Sequence, residues 1–157
     1  MANPEYPLSP RTGRPLIPRE PARRGERCGE GPPAALVHGV ALFNQGDYWD
    51  CHEVLEDLWR DEPDPVRYLY QGVLLVGVGL HHLQRGNRHG AVTKLRAGAA
   101  LLAPYEPSCQ GVDVTALRRA ASAVLDIVED TPAGRPSTAF TKVQIAIDPT
   151  AGAGEDV

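Results

Sequence analysis

The chain carries three cysteines, Cys28, Cys51 and Cys109, odd in number, far apart and without any Cys-x-x-Cys pair. That pattern argues against a zinc knuckle or a disulfide framework and fits a reducing cytoplasm. No charged-then-apolar leader opens the sequence. The longest strongly apolar run, VLLVGVGL at 73–80, is far too short to span a bilayer, so a membrane is not an expected partner. A long basic stripe is missing as well, and with a formal charge of −4 nucleic acid is not an expected partner either.

What charge there is falls in blocks. Between Asp47 and Asp64 eight acidic residues stand against Arg60 alone, and between Arg85 and Arg96 there are four basic residues and no acidic one. Such blocks can face each other within the fold or across a homodimer, or simply solvate two helix faces. Any dimer they hold together is expected to weaken with salt.

The 157 residues fit one domain with a single core. Residues 1–32, rich in Pro, Arg and Gly and without apolar periodicity, read as an extended or disordered arm. Residues 33–131 read as a helical domain, and 132–157 as an extended C-terminal tail whose alternation at 143–147 suggests a short strand with no evident partner. Within the domain the first helix runs from Pro32 or Pro33 to about Gln45, with Leu36, Val40 and Phe43 at helical spacing. Gly46 ends it, and Asp47 is placed to cap a second helix from Tyr48 to about Arg60. The third helix, from about Val66 to Arg85, is apolar nearly all round and belongs at the centre. Gly86 closes it and Asn87 caps the fourth, to about Leu102; Asp113 caps a fifth that ends before Pro132. The fold class expected is therefore all-α, a compact bundle of about five helices built from helical hairpins, with extended arms at both ends. The two helix-Gly-cap-helix hinges lie 40 residues apart and echo each other, and the first resembles the turn inside a tetratricopeptide hairpin.

One stretch, GDYWDCHEVLEDLW at 46–59, concentrates the polar chemistry. On a wheel Val54, Leu58, Cys51, Leu55 and Trp59 form a broad apolar arc. His52 falls at its edge, and Glu56, four residues on, can meet it; Glu53 points further outward, and Arg60 competes for Glu56. On the third helix Gln71 and His82 are eleven residues apart, close to three whole turns, and both interrupt an apolar surface. A buried polar group without a partner costs about 1–3 kcal/mol. His52, Glu56 and one of Gln71 or His82 are therefore expected to approach one another. His38, His81 and His89 read as rim residues, and Tyr68 and Tyr70 as packing groups.

FNQGDYWDCHEVLEDLW, the YQGVLLVGVGLHHLQRGN that follows, and Gly90-Ala91 resemble the uncharacterised prokaryotic family known as domain of unknown function 309, over about residues 36–103. The matching positions are Phe43, Asn44, Gly46, His52, Glu53, Glu56, Trp59, Gln71, His82, Asn87 and Gly90. Cys51 departs from the family's usual alanine and remains small and apolar. The resemblance implies a compact all-helical domain and no particular reaction.

Three functions can be built on these residues. His52, Glu53, Glu56 and His82 supply ligand types that a divalent transition metal accepts, with His52, Glu56 and His82 as the minimal set, although the spacing is not the His-Glu-x-x-His of zinc proteases. Glu56 with His52 or His82 could instead move protons without metal, but no nucleophile on a strained turn and no oxyanion donor accompany them. The third reading fits the residues best: a non-catalytic protein- or ligand-binding module, cofactor-free, in which His52, Glu56 and Gln71 form a structural network flanked by Trp49 and Trp59, and Gly46, Asp47, Gly86 and Asn87 form the hinges.

Overall fold

The computed structural model describes residues 25–131 and 142–152. Its elements are α1 (Ala34–Asn44), α2 (Tyr48–Asp61), α3 (Arg67–Gln84), α4 (Arg88–Leu102), the two-residue strands β1 (Ser108–Cys109) and β2 (Val112–Asp113), and α5 (Val114–Asp130). Single 3₁₀ turns precede α1, at Arg27–Gly29, and follow α4, at Ala103–Tyr105. The fold is all-α, with five helices and one tiny hairpin among the described residues. Residues 1–24, 132–141 and 153–157, read as arm and tail, lie outside the described residues.

Both hinges have the same construction. Gly46 (φ +85°) and Gly86 (φ +74°) take the left-handed conformation that a side chain disfavours. The amide of the residue after each glycine closes the helix end, Asp47 on Leu42 O (3.0 Å) and Asn87 on His82 O (2.8 Å). The caps differ. Asn87 accepts from the Gly90 amide (2.9 Å) and Asp113 from the Ala116 amide (3.0 Å), whereas the Asp47 side chain makes no capping bond.

These hinges fold α1–α2 and α3–α4 into antiparallel hairpins around α3, whose residues from Leu69 to Gly77 are all buried. A Cβ on Gly72 would stand 2.7 Å from Leu102 Cγ, and one on Gly98 would stand 2.9 Å from Gly72 O. The α3 and α4 backbones thus approach closely along one side of α3, while α2 lies along another.

Two readings of the sequence need correction. Cys28 and Cys109, 81 residues apart, are joined in a disulfide with their Cα atoms 4.7 Å apart. Spacing along the chain gave no sign of it because α1 to α4 lie between the two, and only their packing brings the cysteines together. The cysteine argument for a reducing compartment is lost with it; Cys51 is the free, buried one. The segment at 143–147 also has partners. Its Ile147 bridges Val112, Asp113 N donates to Ala146 O (3.0 Å), and the Asn44 side chain both donates to Ile145 O (3.0 Å) and accepts from Ile145 N (2.8 Å). The β1–β2 hairpin that receives it turns at Gln110 (φ +46°) and Gly111 (φ +81°), the pair of left-handed residues that a two-residue hairpin turn demands. Residues 25–31 are anchored as well, through Cys28 and through Arg27, which pairs with buried Glu62 at 2.5 Å.

Candidate functional site

Where α2 and α3 meet, the polar residues form a seam. The His52 ring lies 3.4 Å (Nε2 to Oε2) from Glu56, each side chain 23% exposed, and Arg60 donates to the other Glu56 oxygen at 2.5 Å. The spacing of four residues in each case puts the three groups on successive turns of one helix face. Outward of them Glu53 is exposed.

Two aromatic contacts fix how α2 runs against α3. At one end the Arg67 guanidinium lies over the Trp59 ring, 4.9 Å from its centroid, and 5.7 Å from that of Tyr68. At the other Trp49, 54% exposed, stacks on His52 (5.1 Å) and lies 5.8 Å from His81.

Among the described residues four buried side-chain polar atoms lack a hydrogen-bond partner: His52 Nδ1, Trp59 Nε1, Arg67 Nε and Gln71 Oε1. All four belong to α2 and α3. A buried polar atom left without any partner costs about 1–3 kcal/mol. His52 and Glu56 do meet, as expected, but neither a bond to Gln71 nor one to His82 completes the network.

His82 is held elsewhere. Its Nδ1 lies 3.3 Å from Asn87 Nδ2, and a Cβ on Gly90 would stand 2.9 Å from its ring. The α3–α4 hinge returns the chain at once, so at this end of α3 the helix α4 reaches the His82 ring. Its pKa is pushed below the ordinary histidine value by burial and then by His81 and Lys94. The imidazole that faces Trp49 is His81, expected from the sequence on the rim; one residue, about 100° of helix rotation, decides between the two. Among the described residues no three His, Cys, Asp or Glu side chains are gathered as metal ligands, and His52, Glu56 and His82 do not assemble.

A second polar cluster went unnoticed in the sequence. Tyr70 donates to Gln110 Oε1 (2.7 Å), Gln110 Nε2 donates to Arg27 O (3.2 Å), and the Gln110 amide donates to Cys28 O (2.8 Å). Burial pushes the Tyr70 hydroxyl up to about 12, against the opposing pull of Gln110. This cluster surrounds the Cys28–Cys109 bridge. The signal available for it was weak: one glutamine beside a glycine in a turn. A concavity of about 470 Å³ lies elsewhere, against α5, lined by residues including Arg118, Arg119 and Asp126. Arg118 is already held there by Glu106 (3.1 Å) and Ala99 O (2.9 Å).

The fold and the seam define a small helical-hairpin domain with a half-buried His-Glu pair. Residues 36–93, which carry α1 to the start of α4, match the model of the family described as Domain of unknown function (DUF309), the family that the motif resembles. The chain is 36% identical over 61 residues to the Uncharacterized protein YpuF of Bacillus subtilis (strain 168), a match covering 38% of this chain and 35% of that protein. It is 23% identical over 95 residues to an uncharacterized protein of Aquifex aeolicus (strain VF5), covering 60% of this chain and 28% of the relative. The chain thus spans about a third of the length of these curated relatives. The Cys28–Cys109 clasp falls outside the family match; the seam falls inside it.

Proposed function

We propose that the domain is a non-catalytic protein- or ligand-binding module whose receiving surface is the α2–α3 seam. The His52–Glu56–Arg60 chain is the structural part of that surface, and Trp59, Arg67 and Gln71 are the part that meets the ligand. The observation that carries this reading is Gln71: 6% exposed, on the central helix, with its Oε1 unpaired. A polar group kept where an apolar one would be more stable is the signature of a surface shaped for something other than stability.

Thermal and urea unfolding of Gln71→Met test it. Methionine keeps the shape and removes the unpaired amide, so the variant is expected to gain about 1 kcal/mol. A loss of similar size would mean that Gln71 serves a purely structural network. Elemental analysis that found a stoichiometric transition metal, lost in His52→Ala, would put metal binding at His52 in place of this reading. No helix among the described residues is long and apolar enough to cross a membrane.

A further inference from the structure

Residues 25–31 are held on the domain with little apolar contact. Of the seven only Cys28 is buried, and Glu26, Gly29 and Glu30 are exposed. The other ties are polar. Arg27, its side chain 44% exposed, donates to Glu62 (2.7 and 2.5 Å), and the Glu26 amide donates to Asp64 (3.3 Å). The Arg27 carbonyl accepts from Gln110 Nε2 (3.2 Å) and the Cys28 carbonyl from the Gln110 amide (2.8 Å). Groups this near water exchange such partners for solvent at little net cost, whereas every residue of an ordered segment gives up backbone freedom. The bond from Cys28 to Cys109 is therefore the tie that decides whether the segment stays.

That tie lies just under the surface. Gly29 follows Cys28 and Ser108 precedes Cys109; both are exposed, and the space beside Gly29 is open. Cys28 is 7% exposed and Cys109 1%, so a thiolate comes to the bridge from the Cys28 side, where a single 3₁₀ turn is all that must part. Glu62 and Gln110, both buried, lie against this turn. With the segment gone Glu62 keeps, among the described residues, only the Asp64 amide (3.3 Å), and the Gln110 side chain keeps only Tyr70 (2.7 Å). Water then takes the vacated places. The segment lies outside α1 to α5, and residues 143–147 have their own ties to Asn44 and Val112, so neither depends on it.

We propose that the Cys28–Cys109 bridge is a redox latch: a dithiol reductant opens it in the folded protein and frees residues 25–31, uncovering Glu62 and Gln110. One thiolate of the dithiol attacks Cys28 Sγ, and Cys109 leaves as a thiolate. The second thiol, deprotonated, displaces Cys28 and closes the reductant's own disulfide. Two electrons pass from the dithiol to the bridge, and the two protons it gives up end on the Cys28 and Cys109 thiolates. An oxidised dithiol reverses the exchange and seats Arg27 on Glu62 again. Both cysteines lie outside the stretch 36–93 that matches the family model, whereas Glu62 lies within it.

The test is NMR relaxation of the full ¹⁵N-labelled chain, oxidised and then with dithiothreitol, in the absence of denaturant. In the oxidised chain the backbone order parameters of Glu26 to Glu30 are expected near the rigid value of about 0.85. After reduction they are expected to fall below about 0.6, and the Gln110 amide to shift as it loses Cys28 O, while the amides of α1–α5 stay dispersed. Oxidised dithiothreitol is expected to restore the first spectrum. Cys109→Ser is expected to match the reduced parent. Glu62→Gln, oxidised, is expected to keep the segment ordered, which separates the covalent tie from the ion pair. A bridge that dithiothreitol leaves intact until urea is added overturns the proposal, as does a reduced segment as rigid as the oxidised one. Loss of all dispersion on reduction overturns it too, since the bridge would then hold the whole domain and not the segment. So does an oxidised Glu62→Gln whose segment is mobile, which would make the ion pair the latch.

Discussion

Two buried glutamines divide this molecule. Gln110, 1% exposed, spends its side-chain oxygen on Tyr70 and its amide on Arg27 O, in a cluster closed by a disulfide. Gln71, 6% exposed, leaves its oxygen unpaired in a seam whose other members leave a ring nitrogen, an indole N–H and a guanidinium N–H unpaired too. Burial is nearly the same and satisfaction is opposite. Buried polar groups are paired in folded proteins as a rule, so the clasp follows that rule and the seam, on which the proposed function rests, departs from it.

The largest blow to this contrast comes through the clasp. Cys109→Ser, or reduction, opens an 81-residue loop and is expected to cost about 4–5 kcal/mol in urea unfolding, on the chain-entropy estimate. A cost near zero would show that the clasp is not what holds residues 25–31 and the hairpin in place.

Alkaline pH attacks the same region. Tyr70 has its pKa raised by burial from 10.0 to about 12, so the folded state favours the neutral phenol. Its contribution is fully present below pH 10 and is lost as pH rises towards 12, because the unfolded chain ionises first. A shift of that size corresponds to about 2–3 kcal/mol. Cys51, pushed up to about 12 by burial from 9.0, adds a loss of the same sign that begins one unit lower. Tyr70→Phe should remove the tyrosine's share of the fall, and an unchanged profile would remove Tyr70 from the account.

Matched substitutions sharpen the comparison most directly. Gln110→Met leaves the Tyr70 hydroxyl and Arg27 O without their partner and is expected to cost about 1–3 kcal/mol, whereas Gln71→Met is expected to stabilise. Equal signs for the two would erase the distinction between clasp and seam.

The smallest effect expected lies at the hinge between α3 and α4. His82, its pKa lowered chiefly by burial, stays neutral in the folded state while the unfolded chain takes up a proton. Its contribution is present above the ordinary histidine value of 6.5 and fades as pH falls through the folded pKa. Stability measured between pH 7 and 5 should decline less in His82→Gln than in the parent.

The helices were legible because their signals are local. Prolines at 33, 63, 65, 104 and 107, glycines at 46 and 86, and caps at Asn87 and Asp113 place each end within a residue or two of where it falls. The His52–Glu56 pair was legible for the same reason, since four residues on one helix fix the distance. His81 was not: a wheel treats α3 as an isolated straight rod, and which neighbour reaches a given face depends on where α4 returns.

By itself the sequence determined the five helices, their hinges and the buried central rod, because backbone geometry and apolar periodicity act over a few residues. Only the tertiary structure decided that Cys28 meets Cys109, that Asn44 holds the segment at 143–147, and that Gln110 is satisfied while Gln71 is not. Those outcomes depend on groups tens of residues apart reaching within a few ångströms, and no local rule of spacing encodes the packing that brings them there.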